Sequence, residues 1–104
     1  MSDDILKQLY QVIQSRKTAK PEESYVASLY DKGREKIAEK IGEESTELII
    51  EAIKNDKERM ANESADLLFH LLILWSDADL DPQDIFDILK ERNGISGHDE
   101  KASR

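Results

Sequence analysis

A chain of 104 residues with a formal net charge of -8 is long enough for one core and too short for two, so residues 1–104 are expected to form a single domain. The acidic balance argues against a protein that grips nucleic acid or an anionic membrane through bulk positive field; a phosphate-bearing ligand needs a metal cation or a local cluster of Lys and Arg. There is no cysteine, so disulfides and thiolate metal chemistry are excluded. The opening MSDDILKQLY carries acid where a secretory signal carries base. The most apolar run, Leu67 to Trp75, is about half of the roughly 20 residues a membrane span needs. A soluble cytoplasmic protein that binds neither nucleic acid nor membrane is the expectation.

In chain order, helix signals recur and strand signals do not. Ile5, Leu9, Val12 and Ile13 keep helical spacing behind Ser2, Asp3 and Asp4, and Arg16 and Lys17 suit the end of that helix. TAKPEE reads as a loop, after which Ser24 caps SYVASLYDKG, stopping at Gly33. A long helix follows from Arg34 to about Ile53. Asn55 with Glu58 resembles a capping box that opens another, to about Ser76. Asp81, Pro82 and Asp84 start a last helix that Asn93-Gly94 ends. The tail ISGHDEKASR shows no apolar period. The fold class is therefore all-α, a helical bundle of four to five helices.

At 100° per residue, Ile37, Ile41 and Leu48 share one face of the first long helix, with Glu44 among them and Glu47 about 60° away. On the second, Met60, Leu67, Leu71 and Leu74 form the expected core stripe, with Glu63 about 40° from Leu67 and Asp66 beyond it. Each helix thus carries two carboxylates at i and i+3 along the edge of its apolar face. Antiparallel packing, which the short IKNDKE connection implies, brings Glu44, Glu47, Glu63 and Asp66 together. Burying four carboxylates without a cation is costly, and oxygen ligands in that number suit Mg²⁺. Nothing obliges Glu43 and Glu51 to converge with them, and both read as solvated helix face. His70 reads as a satisfied core histidine, since magnesium does not seek imidazole.

The run Gly42-Glu43-Glu44-Ser45-Thr46-Glu47, followed by Glu63-Ser64-Ala65-Asp66, resembles the EExxE and ExxD signature of the all-α (MazG-like) nucleoside triphosphate pyrophosphohydrolases. SYVASLYDKG, REKIAEKIGEE, ESADLLFHLLILW and RNGISGHDEKASR are similar, more narrowly, to the phosphoribosyl-ATP pyrophosphohydrolase family of histidine biosynthesis. That resemblance implies hydrolysis of phosphoribosyl-ATP to phosphoribosyl-AMP and pyrophosphate, with Mg²⁺ on Glu44, Glu47, Glu63 and Asp66. Glu43 is the candidate for orienting or deprotonating the attacking water. Lys32, Lys36 and Lys40, with Arg34 nearby, are candidates for neutralising substrate phosphates. Arg92, Ser96, Gly97 and Lys101, from the family-like tail, complete the implied substrate contacts.

Two other functions fit the same residues. One is a housekeeping nucleoside triphosphate pyrophosphohydrolase; the other is a non-catalytic acidic helical interaction module. Either way a homodimer is expected, because Leu67 to Trp75 is apolar on every side, Phe69 and Ile73 lying opposite the Met60 stripe. A helix apolar all round must be covered all round.

Overall fold

The computed structural model describes residues 4–93, and these form an all-α chain with no strand among them. The helices are α1 (Ile5–Ser15), α2 (Tyr25–Lys32), α3 (Arg34–Lys54), α4 (Lys57–Asp77) and α5 (Pro82–Arg92), and a 3₁₀ turn, Arg16–Thr18, follows α1. Their boundaries follow local chemistry. Ser24 Oγ accepts from the Ala27 amide at 3.1 Å and starts α2. Gly33, at φ 96°, turns the chain directly from α2 into α3, a left-handed conformation that glycine adopts without a Cβ penalty. Asp81 and Asp84 form a reciprocal capping box at the start of α5, which fixes two amides that the first turn leaves without helical partners.

One cap differs from expectation. Asn55 does not open α4; it closes α3 in the left-handed region, at φ 58° and ψ 35°. The N-cap is Asp56, whose Oδ1 accepts from the Arg59 amide at 3.1 Å. Asn tolerates the left-handed conformation better than most residues, so the pair divides the turn between a stop and a start.

That two-residue turn makes α3 and α4 antiparallel. The Arg34 side chain, at the start of α3, bonds Asp77 at the end of α4, and Arg59, at the start of α4, faces Glu51 near the end of α3. Helix α1 lies against α4, α2 against α3, and α5 against α1. The core gathers Tyr10, Ile13, Val26, Leu29, Ile37, Leu72 and Ile73, and each aliphatic there contributes on the order of 1.5–3 kcal/mol by leaving water. Polar ties fix its edges: Tyr10 Oη donates to Leu80 O at 2.7 Å, and Lys17 Nζ to Ser76 O at 3.1 Å.

The core face of α4 is turned from the expected one, of which only Leu74 packs against the core. Leu72, Ile73 and Ser76 are buried and Phe69 packs against the core, while Met60, Leu67 and Leu71 stay partly exposed. When both sides of a helix are apolar, its own sequence does not say which side the chain covers. On α3 the expected face is inside: Ile37 and Glu44 are buried, and so is Glu51. No helix among the described residues is long and apolar enough to cross a membrane.

Candidate active site

The antiparallel α3–α4 seam carries a row of acids. A carboxylate oxygen from each of Glu44, Glu63 and Asp66 lies within 4.8 Å of the other two. Glu44 is buried, Glu63 half-buried and Asp66 exposed, so the cluster runs from the interior to the surface. Glu47, one turn on from Glu44, is exposed and interacts directly with Glu44 and Glu63. Three of the four residues the spacing singled out, Glu44, Glu63 and Asp66, are therefore brought within one group, with Glu47 acting on it from the rim.

The cluster is electrostatically unsatisfied. Glu44 Oε2 and Glu63 Oε2 are shut off from solvent and make no hydrogen bond, a condition that ordinary buried polar atoms avoid. Desolvation is the largest cause raising the Glu63 carboxyl to about 7, followed by hydrogen bonding to Glu47 and repulsion from Glu47 and Glu44. Glu44 is raised as well, first by burial, then by Glu47 and Asp66, while His70 offsets part of the effect. Orphaned oxygens, like charges in contact and an opening to the surface suit a hard cation with several oxygen ligands. The cavity between α1 and the start of α5, about 370 Å³, has one acid in its lining, Asp81, and that side chain already caps α5.

The basic residues are only partly available. Lys40 Nζ contacts Glu43 at 3.2 Å and Glu44 at 3.7 Å, and the hydrogen bond to Glu43 leads the effects that raise its pKa and keep it charged. Lys36 holds Glu39 at 3.0 Å, and Arg34 braces the helix pair through Asp77. Lys32 ends α2, exposed, just before Gly33. Glu43 lies exposed beside Glu47 in a shallow depression that Gly42 and Thr46 also line. Arg92 is the last residue of α5; Ser96, Gly97 and Lys101 lie outside the described residues.

The family model for phosphoribosyl-ATP pyrophosphohydrolase matches residues 6–93. The phosphoribosyl-ATP pyrophosphatase of Azospirillum brasilense is 50% identical over 104 residues, covering 100% of this chain and 94% of the relative. That of Geobacter sulfurreducens is 52% identical over 102 residues, covering 98% and 94%, and that of Paramagnetospirillum magneticum 48% over 100 residues, covering 96% and 92%. The chain belongs to the phosphoribosyl-ATP pyrophosphohydrolase family.

Two residues that the sequence left aside join this family member's acidic seam. Glu51 is buried, not solvated: its Oε1 has no hydrogen bond, and its other oxygen is 3.9 Å from Arg59. It stands seven residues beyond Glu44, so two helical turns return it to nearly the same side; that spacing was the signal available for it. Tyr25 is the other. Its hydroxyl is 2.8 Å from His70 Nε2, and His70 Nδ1 is 2.7 Å from the Asp66 carbonyl. A carbonyl only accepts, so Nδ1 carries a proton, and in the neutral ring Nε2 accepts from Tyr25. His70 is buried, with both ring nitrogens hydrogen-bonded.

Proposed function

We propose that the chain carries out its family's reaction, hydrolysis of phosphoribosyl-ATP to phosphoribosyl-AMP and pyrophosphate, at the α3–α4 carboxylate cluster. The observation that carries this reading is the pair of orphaned oxygens, Glu44 Oε2 and Glu63 Oε2, within a three-carboxylate group open to solvent. Glu44, Glu63 and Asp66, with Glu47 at the rim, would hold Mg²⁺. When bound, that ion supplies charge for the phosphate oxygens and lowers the pKa of coordinated water.

The remaining work belongs to the protein's own side chains. Lys40 faces the cluster from α3, where it limits repulsion between the acids and an incoming polyphosphate; Lys36 and Lys32 extend the positive lining toward α2. Glu43 lies one residue from Glu44 and next to the Glu47 depression, placed to accept a hydrogen bond from the attacking water and orient it. Arg92, Ser96, Gly97 and Lys101 are the proposed contacts at the far end of the substrate. The reading includes the cytoplasm as the setting, residues 1–104 as one domain, and pairing of two chains.

The test is incubation with phosphoribosyl-ATP and Mg²⁺, following pyrophosphate and phosphoribosyl-AMP together. Stoichiometric release of both, lost on chelation, is expected. Turnover of common nucleoside triphosphates without phosphoribosyl-ATP would support a housekeeping enzyme instead, and no release from any nucleotide at high protein concentration would leave a non-catalytic module.

A further inference from the structure

Tyr25 stands at the first position of α2, and half of its surface is open to solvent. That helix buries Val26, Ala27 and Leu29 and packs Tyr30 against the core, so α2 has anchors besides Tyr25. Its ring is nevertheless held firmly. Phe69 lies roughly parallel at a centroid distance of 6.5 Å and 19° between planes, His70 meets it edge-on at 5.8 Å, and the hydroxyl is tied to His70 Nε2. His70 is in turn tied to the backbone carbonyl of Asp66. Burial raises the Tyr25 hydroxyl's pKa first, and the charges of Lys40, Glu44, Glu43 and Lys36, all residues of the proposed site, act on it as well.

A half-open aromatic ring, fixed at its back, edge and tip and set beside a phosphate-binding cluster, has the chemistry of a stacking platform. Exposed aromatics bind bases through their π-faces whatever the hydrogen-bonding pattern of the base. A platform held by packing and a hydrogen bond loses little freedom when the ligand arrives. The chain of bonds from Tyr25 through His70 to the backbone of Asp66 sets the ring beside the cluster, so a nucleotide with its phosphates at the cluster can lay its base on that ring. We propose that Tyr25 is a substrate-positioning residue whose ring stacks on the purine of the nucleotide, with Phe69 and His70 holding it in place. This rests on the α3–α4 cluster as the phosphate site.

The experiment separates stacking from structure and from the reaction itself. Tyr25→Leu is expected to raise KM for phosphoribosyl-ATP by roughly 10- to 100-fold, the range that loss of one base–aromatic stack gives, with kcat within about threefold. Tyr25→Phe and Tyr25→Trp, which keep a ring, should stay within several-fold of wild type. Calorimetric titration with pyrophosphate and with AMP, each in Mg²⁺, adds a readout independent of turnover: the leucine variant should lose AMP affinity and keep pyrophosphate affinity. Equal loss of both ligands, a fall in kcat with KM unchanged, or unchanged KM and AMP affinity would each overturn the proposal. A wild-type protein that binds AMP through Tyr25 but does not cleave phosphoribosyl-ATP would reject the proposed reaction and leave the stacking role standing.

Discussion

Glu63 concentrates the tension between folding and function in one side chain. Its carboxyl is raised from 4.5 to about 7 in the metal-free protein, so between those values the folded state binds a proton that the unfolded state has lost. Stability contributed by that proton is present below about pH 4.5 and disappears as pH rises through about 7. Melting in chelator from pH 5 to 8 should therefore show wild type losing stability relative to Glu63→Gln, which lacks the titration; parallel curves would remove Glu63 from the strained cluster. The same substitution tests the cation. At a hundred times its dissociation constant Mg²⁺ adds about 2.7 kcal/mol if it binds only the folded chain. Wild type should show that rise; Glu63→Gln and Glu47→Gln should lose most of it together with pyrophosphate release. Exposed Glu22 provides the control: Glu22→Gln should keep both. Glu51→Gln would be a poor control, because Glu51 is buried against Arg59. The convergence of Glu44, Glu63 and Asp66 was legible because the i, i+3 carboxylate pairs sit on apolar edges. Glu51 was not, because a carboxylate read one at a time defaults to solvent, and only the repeat from Glu44 brings it back to the seam.

At the scale of elements, the seam depends on a turn of two residues. Asn55 stops α3 in the left-handed region and Asp56 starts α4, so α4 begins where Arg59 meets Glu51 and Glu63 meets Glu47. Asp56→Ala removes a side-chain cap and should cost about 1 kcal/mol. Asn55→Gly should be close to neutral, whereas Asn55→Val, forced to positive φ, should cost 1–2 kcal/mol or more. Chemical denaturation at matched protein concentration reads all three; an Asn55→Val variant as stable as wild type would mean that the turn adopts another geometry. The sequence showed a cap here but not which residue held it, since Asn and Asp both suit an N-cap and only Asn also suits a left-handed stop. Elsewhere the punctuation was clearer: Ser24 and the Asp81-Pro82 pair each start a helix as expected, and Gly33, expected as a stop, both ends α2 and opens α3.

At the scale of the whole molecule, apolar surface outruns the cover that the described residues supply. Helix α4 turns Leu72, Ile73 and Ser76 inward, which leaves Met60, Leu67 and Leu71 partly exposed and Leu68, beside Leu71, 44% exposed. On α3, Ile49, Ile50 and Ile53 are exposed at 58%, 46% and 81%, away from its buried line of Ile37, Glu44 and Glu51. Scattered exposed aliphatics are normal on a protein surface, but a face repeating every third and fourth residue along α4 is a surface shaped for another helix. With Leu72 and Ile73 inward, Met60, Leu67 and Leu71 are left without cover among the described residues, and a second copy would offer the same face for isologous pairing. Sedimentation equilibrium at micromolar concentration should give twice the chain mass. Leu68→Lys, placing a charge in the open α4 face, should shift the population to monomer, lower the melting temperature and make it less dependent on protein concentration. Ile53→Lys serves as a comparison, since its position on α3 lies outside that face; if it breaks the dimer and Leu68→Lys does not, the chains pair through α3. A wild-type mass equal to one chain would show that the exposed leucines of α4 have no partner of their own kind.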